Sequence, residues 1–367
     1  MSPDGRPIRV LVVEDSRTVR ARIVAALRSD PAFEVVGEAG DGETAIQECQ
    51  RLRPDLVTMD MMLPGLSGLA ATEQLMQHCP TPILVISSAD NRAGFIDTIA
   101  ALDAGAVDVL DKPLGRDTTG GNDAWDREFL RTCRLVSRIR VIRRIGHHAS
   151  VPAARTPEPL PPQADPSHPY SLVAIGASTG GPTAVATVLR TLPATFALPI
   201  LLVLHVHESF GNAFASWLAE ATDRRVRLAV SGEPLTNVRP GEVVMAPPGR
   251  HLRVRSNTLL LTDEPERHSC RPSVDVLFES LAQSHGPRVA ACLLTGMGKD
   301  GAAGMLEIDR TGGLTIAQDE ATSVVFGMPG EAVRLGGAQH VLPIDRIGPA
   351  LGRLTVPSDL AVRMRPR

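Results

Sequence analysis

Residues 146 to 169 read GHHASVPAARTPEPLPPQADPSHP, and no other stretch limits the possible fold as much. Proline lacks a backbone donor and fixes φ, and the stretch shows no apolar periodicity, so neither a helix nor a central strand can run through it. It reads as an extended, semi-rigid tether. The chain, at 367 residues, is also too long for one compact core, so a domain is expected on each side of the tether.

Each flank has its own pattern. Before the tether, the short apolar runs IRVLVV, FEVVGEA, DLVTMD, PILVIS and AVDVL alternate with segments of helical periodicity. That alternation predicts an α/β domain built on a five-stranded parallel sheet. After the tether, SLVAIGA, LPILLVLHV, EVVMA, RVAACLLTG and GLTIAQ alternate with helical segments such as 210 to 221 and 273 to 284, predicting a second, doubly wound α/β domain. The domains are expected at 1–122 and 170–367, with a helix and the Pro-rich linker at 123–169. Within residues 123 to 144, Phe129, Cys133, Val136 and Ile139 share one stripe, while Arg131, Arg134, Arg138, Arg143 and Arg144 make the other side basic. Either that side is simply solvated or it meets a partner or the second domain.

Bulk properties exclude several classes. Hydrophobic residues make up 43% and charged residues 22%, which argues against global disorder. A net charge of -3 gives no general footprint for nucleic acid. The apolar run LPILLVL is too short to span a membrane, and the N-terminus lacks a signal-peptide pattern, so a cytoplasmic protein without membrane insertion is expected. Cysteines 49, 79, 133, 270 and 292 show no metal-finger spacing or close pairing in sequence, so neither disulfides nor structural zinc are expected.

In an open parallel sheet, ligands bind beyond the carboxyl ends of the strands. In the first domain those ends carry Glu14 and Asp15, then Asp60, then Ser87 and Ser88, with Lys112 and Pro113 after the last strand. Three converging carboxylates repel one another unless a cation neutralises them, and hard oxygens suit Mg²⁺. Lys112 and Ser87 could then meet a phosphoryl group. Through VLVVEDS, VTMDMMLPGLSGL, ISS and DKP, residues 7 to 120 resemble a response-regulator receiver domain, a flavodoxin-like fold. The resemblance implies Asp60 as phosphoacceptor, Glu14, Asp15 and Asp60 as Mg²⁺ ligands, and Ser87 and Lys112 as phosphosite support. Val109 stands where the family often has an aromatic switch residue.

The second domain opens with AIGASTGGP. A glycine-rich turn between strand and helix can cradle an anion, but Gly176, Gly180 and Gly181 do not have G-x-G-x-x-G spacing, and no Walker lysine follows. Ser178 could instead be an exposed nucleophile, needing a base, an orienting acid and oxyanion donors. His205 ends the next long apolar run. Asp300 follows the turn that contains Gly296, Met297 and Gly298, and could either orient an imidazole or merely cap a helix. On the residues alone, both the catalytic and the anion-binding alternatives stay open.

Residues 171 to 350 resemble the catalytic domain of CheB-type chemotaxis methylesterases through IGASTGGP, His205 followed by ESFGNAFASWL, VVMAPPGRHL, RPSVDVLFESLA, LLTGMGKDGAAGM and TIAQDEATSVVFGMPGEA. The resemblance implies Ser178 as nucleophile, His205 as base then acid, and Asp300 as orienting acid. It makes the Met297 N–H an oxyanion donor and Thr179 a neighbour of the nucleophile, with no cofactor for the esterase step. It further implies that methyl-accepting chemoreceptors are substrates, that receptor glutamines are deamidated as a side activity, and that a CheA-type histidine kinase is the phosphodonor. The unphosphorylated receiver would then cover the Ser178 cleft. Competing hypotheses are a phospho-regulated esterase or scaffold of another pathway, and a nucleotide-binding module. Cys270 replaces a histidine often found before RPSVD. It reads as a packed or exposed thiol, because nothing in the sequence supplies it with a base. His207, His251 and His268 read as structural or groove residues.

Overall fold

The structure, a computed structural model, describes residues 6–87, 92–113, 122–139, 170–206 and 210–354. The tether at 146–169, Ser88, His207, Arg143 and Arg144 lie outside the described residues. The chain falls into two compact units divided near residue 153.

The first unit alternates strictly: β1 (Ile8–Val13), α1 (Arg17–Arg28), β2 (Phe33–Ala39), α2 (Gly42–Leu52), β3 (Leu56–Asp60), α3 (Gly68–His78), β4 (Ile83–Ser87), α4 (Arg92–Ala104), β5 (Asp108–Asp111) and α5 (Asn122–Val136). Its sheet order is β2-β1-β3-β4-β5, with all pairs parallel. All five expected strands are present. Short polar residues start the helices: the side chains of Ser16, Asp41 and Ser67 each accept from an N–H in the first turn of α1, α2 and α3. Phe129, Cys133 and Val136 of α5 are buried in the core cluster of this unit, and Ile139 packs against it. On the other side of α5, Arg134 pairs with Asp30 and lies over the Phe33 ring, while Arg131 and Arg138 are exposed.

The second unit runs β6 (Leu172–Ala177), α6 (Gly181–Thr191), β7 (Ile200–Leu204), α7 (Gly211–Thr222), β8 (Val226–Leu228), β9 (Val243–Met245), β10 (His251–Arg255), β11 (Thr258–Thr262), α8 (Val274–His285), β12 (Val289–Leu293), α9 (Ala302–Arg310), β13 (Leu314–Gln318), α10 (Met328–Leu335), β14 (His340–Leu342) and α11 (Ile344–Gly352). Seven strands form a parallel sheet in the order β14-β13-β12-β6-β7-β9-β8. From β6 the chain winds one way through β7 and the other way through β12, so the switch point lies at the carboxyl end of β6. Every residue of β6, β7, β12 and β13 is buried, as expected of strands with helices on both faces.

Four strands had no counterpart in the sequence reading. β8 and β14 are three-residue strands at the edges, too short for a periodic signal. β10 and β11 pair as an antiparallel hairpin across Ser256 and Asn257, both in the left-handed region at φ 50° and 59°. The geometry is that of a two-residue hairpin turn, but Ser-Asn lacks the glycine that normally announces one.

Candidate functional site

Two constellations occupy the carboxyl ends of the two sheets. In the first unit, Val13 of β1 pairs in register with Met59 of β3, which brings Glu14 beside Asp60. Oxygens of Glu14, Asp15 and Asp60 lie within 4.8 Å of one another. Glu14 and Asp60 are buried and Asp15 is exposed. Lys112 Nζ stands 2.8 Å from Asp60 Oδ2 and 3.0 Å from Glu14 Oε2, and its backbone N–H donates to Ser87 O at 3.1 Å. The Ser87 hydroxyl accepts from Thr98 at 3.0 Å.

Burial, then the neighbouring Asp60, raises the Glu14 carboxyl to about 7, although Lys112 works the other way. One lysine therefore does not neutralise the trio. An all-oxygen donor set with this excess of negative charge fits a hard divalent cation such as Mg²⁺. Glu14, Asp15 and Asp60 would hold it, and it would supply charge neutralisation beside Asp60.

In the second unit, β6 sits between β7 and β12. Ala177 pairs with Leu204, and Gly176 pairs with both Val203 and Leu293. Ser178 and His205 are therefore the first residues beyond two adjacent strands. Their loops are stitched together: His205 N donates to Ala177 O at 3.1 Å, and Ser178 N donates to Thr295 O at 3.0 Å. Gly180, at φ 74°, starts α6 in a left-handed conformation, and a Cβ there would stand 2.6 Å from Val324 Cβ. The turn after Ser178 thus needs glycine on both counts.

Gly296 lies against the serine. A Cβ at 296 would stand 2.7 Å from Ser178 Cβ and 2.4 Å from Met328 Sδ. The Met297 N–H is the next along that backbone, which brings a donor into the neighbourhood of Ser178.

Asp300 is buried and accepts from His205 Nε2 at 3.0 Å. It also accepts from Ser273 Oγ at 2.7 Å, Val274 N at 2.7 Å and Asp275 N at 3.1 Å. Its carboxylate therefore does cap a helix, but that helix is α8 and not the α9 that follows it in sequence. Burial opposes its charge, yet His205, Ser273 and the Val274 N–H outweigh this and hold the carboxyl below its usual range.

Burial likewise opposes charge on His205, but Asp300 and then Cys270 overcome it and raise the imidazole. Cys270 Sγ stands 3.6 Å from His205 Nδ1. This corrects the sequence-based expectation that Cys270 has no base: the fold delivers one from 65 residues away. Among the described residues, no hydrogen bond joins the Ser178 hydroxyl to His205.

The structure thus joins His205 to Asp300 directly, and places Ser178, Thr179 and the Met297 turn at the same sheet edge through backbone pairing. Ser178 through Gly180 are half-buried, leaving a solvent-reachable turn. A carboxylate-backed imidazole beside such a serine can carry out acyl transfer.

Two family models match the chain, a response regulator receiver domain over residues 10–119 and a CheB methylesterase domain over residues 173–351. A protein-glutamate methylesterase/protein-glutamine glutaminase 1 from Syntrophus aciditrophicus is 41% identical over 351 residues, covering 95% of this chain and 98% of that protein. The chain belongs to the CheB family. A second CheB relative, protein-glutamate methylesterase/protein-glutamine glutaminase 2 of Anaeromyxobacter dehalogenans, is 42% identical over 351 residues, with 95% and 98% covered. A crystal structure of the Thermotoga maritima CheB methylesterase catalytic domain aligns at 35% identity, covering 51% of this chain and 99% of that one, with a TM-score of 0.48.

Within this CheB chain, several residues around the site went unread in the sequence. Ser273 is the N-cap of α8 and also a donor to Asp300. Thr295 accepts from Val325 N at 2.9 Å and donates to Thr179 O at 3.0 Å, and Gln318 Oε1 accepts from Thr295 N at 2.8 Å. RPSVD carries a hydroxyl immediately before a helical stripe, a capping signal that could have disclosed Ser273. His251 accepts from Ser273 N at Nδ1 and donates from Nε2 to Pro265 O, a buried structural role. His268 meets Asp275 at 3.1 Å.

Proposed function

We infer that the second domain hydrolyses γ-glutamyl methyl esters on methyl-accepting chemoreceptors, and deamidates receptor glutamines as a side activity. The observation that carries this reading is the His205–Asp300 pair at the end of β7, one strand from Ser178 at the end of β6. The names of the relatives, methylesterase and glutaminase, point the same way. With Nε2 committed to Asp300, Nδ1 is the ring nitrogen left for proton transfer.

In the reaction, Ser178 Oγ passes its proton to His205 and attacks the ester carbonyl. The Met297 N–H, beside the nucleophile, stabilises the oxyanion. Collapse expels the methoxy group, which takes the proton from His205 and leaves as methanol. Water then repeats the sequence on the acyl-serine, releasing glutamate. An amide takes the same route and releases ammonia. Asp300 stays ionised throughout and stabilises the imidazolium.

In the first domain, Asp60 accepts a phosphoryl group from a CheA-type histidine kinase, with Lys112 and Ser87 as its contacts; Glu14, Asp15 and Asp60 would hold a Mg²⁺, which would neutralise charge there. Phosphorylation there raises the esterase rate. The receptor's cytoplasmic part is the proposed substrate; among the described residues no helix is long and apolar enough to cross a membrane.

The test is methanol release from methyl-labelled receptor fragments, with and without a small phosphodonor. Ser178→Ala should lower the rate by roughly 10⁴ to 10⁶. Release that survives this substitution would remove Ser178 from the mechanism, and no release under either condition would remove the receptor esterase. A phosphodonor that leaves the rate unchanged would remove the regulation.

A further inference from the structure

We propose that Cys270 is a second nucleophile on the esterase base, a reactive thiol that shares His205 with Ser178 and withholds Nδ1 from the serine while it holds it. The inference rests on His205 being the esterase base. Its ground is an arrangement that no single residue would make. Sγ faces Nδ1 at 3.6 Å, Nε2 is bound to Asp300 at 3.0 Å, and one donor atom from each of the three residues fits within 4.8 Å of the others. This is the order of a thiol, an imidazole and an orienting carboxylate.

The loop that presents the sulfur is held firmly. Arg267 and Cys270 exchange backbone hydrogen bonds at 3.1 and 2.9 Å across His268 and Ser269, both left-handed at φ 54° and 60°. Arg267 forms a two-pronged ion pair with Glu279 of α8, 2.6 Å on each arm, and His268 meets Asp275 on the same helix. The turn is therefore fixed to the helix whose first N–H groups hold Asp300. The other four cysteines are buried, whereas Cys270 is half-exposed. A soft electrophile therefore has one accessible thiol, and that thiol lies against a base.

Nδ1 cannot serve two acceptors or donors equally. Whether the sulfur donates as a thiol or accepts as a thiolate, its contact occupies the position from which His205 must take the Ser178 proton. Sulfur also contributes to the raised proton affinity of the ring, after Asp300. Among the described residues, the charged and titratable groups around His205 are Asp300 and Cys270 directly, with Asp275, His268 and Arg267 behind Asp300. Of the two direct partners, Cys270 is the one on Nδ1.

The experiment compares the full-length wild type with Cys270→Ala, Cys270→Ser and His205→Gln. Nuclear magnetic resonance titration of the His205 ring, assigned by its loss in His205→Gln, should show a midpoint displaced by about one pH unit or more in Cys270→Ala, downward where the sulfur accepts from the ring and upward where it donates to it. The acid limb of the methyl-ester pH profile should move with that midpoint. Iodoacetamide should place one group on wild type, at Cys270. The S–C bond forms, the C–I bond breaks, iodide leaves and the thiol proton passes to His205 Nδ1. Alkylation at neutral pH should be about tenfold slower in His205→Gln.

An unmoved His205 midpoint in both Cys270 variants, or equal alkylation rates with and without the imidazole, would overturn the proposal. The titration and alkylation do not depend on turnover. If no ester is hydrolysed, the esterase reading fails while the thiol–imidazole pair is still decided. Circular dichroism on each variant separates misfolding from either result.

Discussion

Replacing Asp300 by alanine tests whether one carboxylate both orients the base and caps α8. Its two oxygens receive Ser273 Oγ, Val274 N and Asp275 N as well as His205 Nε2, and all of these donors except the His205 ring belong to buried residues. Three donors without acceptors cost about 1–3 kcal/mol each, so Asp300→Ala should lose roughly 3–6 kcal/mol once water and relaxation recover part of the penalty. That is a large share of a domain stability of about 5–15 kcal/mol.

Asparagine divides the two roles. With its oxygen in the place of Oδ2 it still accepts from Val274 and His205, its NH₂ donates to a rotated Ser273 hydroxyl, and only the Asp275 N–H, the longest of the three bonds, is orphaned. Asp300→Asn should therefore cost about 1–3 kcal/mol. What asparagine cannot replace is the charge. Opposite unit charges about 4 Å apart at an effective dielectric near 20 attract by about 4 kcal/mol, so loss of imidazolium stabilisation should slow hydrolysis roughly a thousandfold.

Scanning calorimetry on the full chain gives the first quantity, because only one of two domain transitions should move. Methanol release gives the second. Equal stability of the alanine and asparagine variants would refute the capping argument, and an asparagine variant within tenfold of wild-type rate would refute the electrostatic one. The pH dependence carries a sign as well. Because the Asp300 carboxyl is lowered in the native state, its stabilisation is present above the unfolded carboxyl value and is lost as pH falls through the native one.

Other outcomes follow from the same geometry. Raised proton affinity at His205 means that its ion pair, formed once Asp300 is ionised, stabilises the fold through neutral pH and is lost as pH rises through the raised native value. Ester hydrolysis, which needs the neutral ring, should run the other way and climb on the alkaline side; a flat rate from pH 6 to 9 would contradict it. Gly296→Ala would press a methyl group onto Ser178 and Met328, and should cost about 1–3 kcal/mol and most of the esterase rate; an active variant with an unchanged melting temperature would count against that packing. Asp60→Asn should abolish incorporation of label from a small phosphodonor while leaving Ser178-dependent hydrolysis measurable, and label retained elsewhere in the receiver would displace Asp60 as acceptor.

What could be read in advance follows from where the information lies along the chain. The strand runs and the Pro-rich break are local, because propensity and burial period act within a few residues. Parallel strands place side chains predictably, since each carboxyl end opens onto the same edge. Glu14, Asp60, Ser178 and His205 could therefore be picked out as candidates before any contact was known. The edge strands β8 and β14 and the Ser256–Asn257 hairpin were too short or lacked a turn signal.

Partnership was not legible, and Asp300 and Cys270 show why. A carboxylate near a helix start reads locally as the cap of that helix, yet Asp300 caps α8, which begins 26 residues earlier. A cysteine without a neighbouring base reads as inert, yet packing against α8 carries Cys270 to an imidazole 65 residues away. By itself, the sequence determined the two α/β domains and which residues stand at the functional edges, because both follow from local periodicity and parallel-strand geometry. Only the tertiary structure decided which of those residues share a proton or a helix terminus. Hydrogen bonds form over about 3 Å, and it is the long-range packing of β6, β7, β12 and α8 that brings such atoms within that reach.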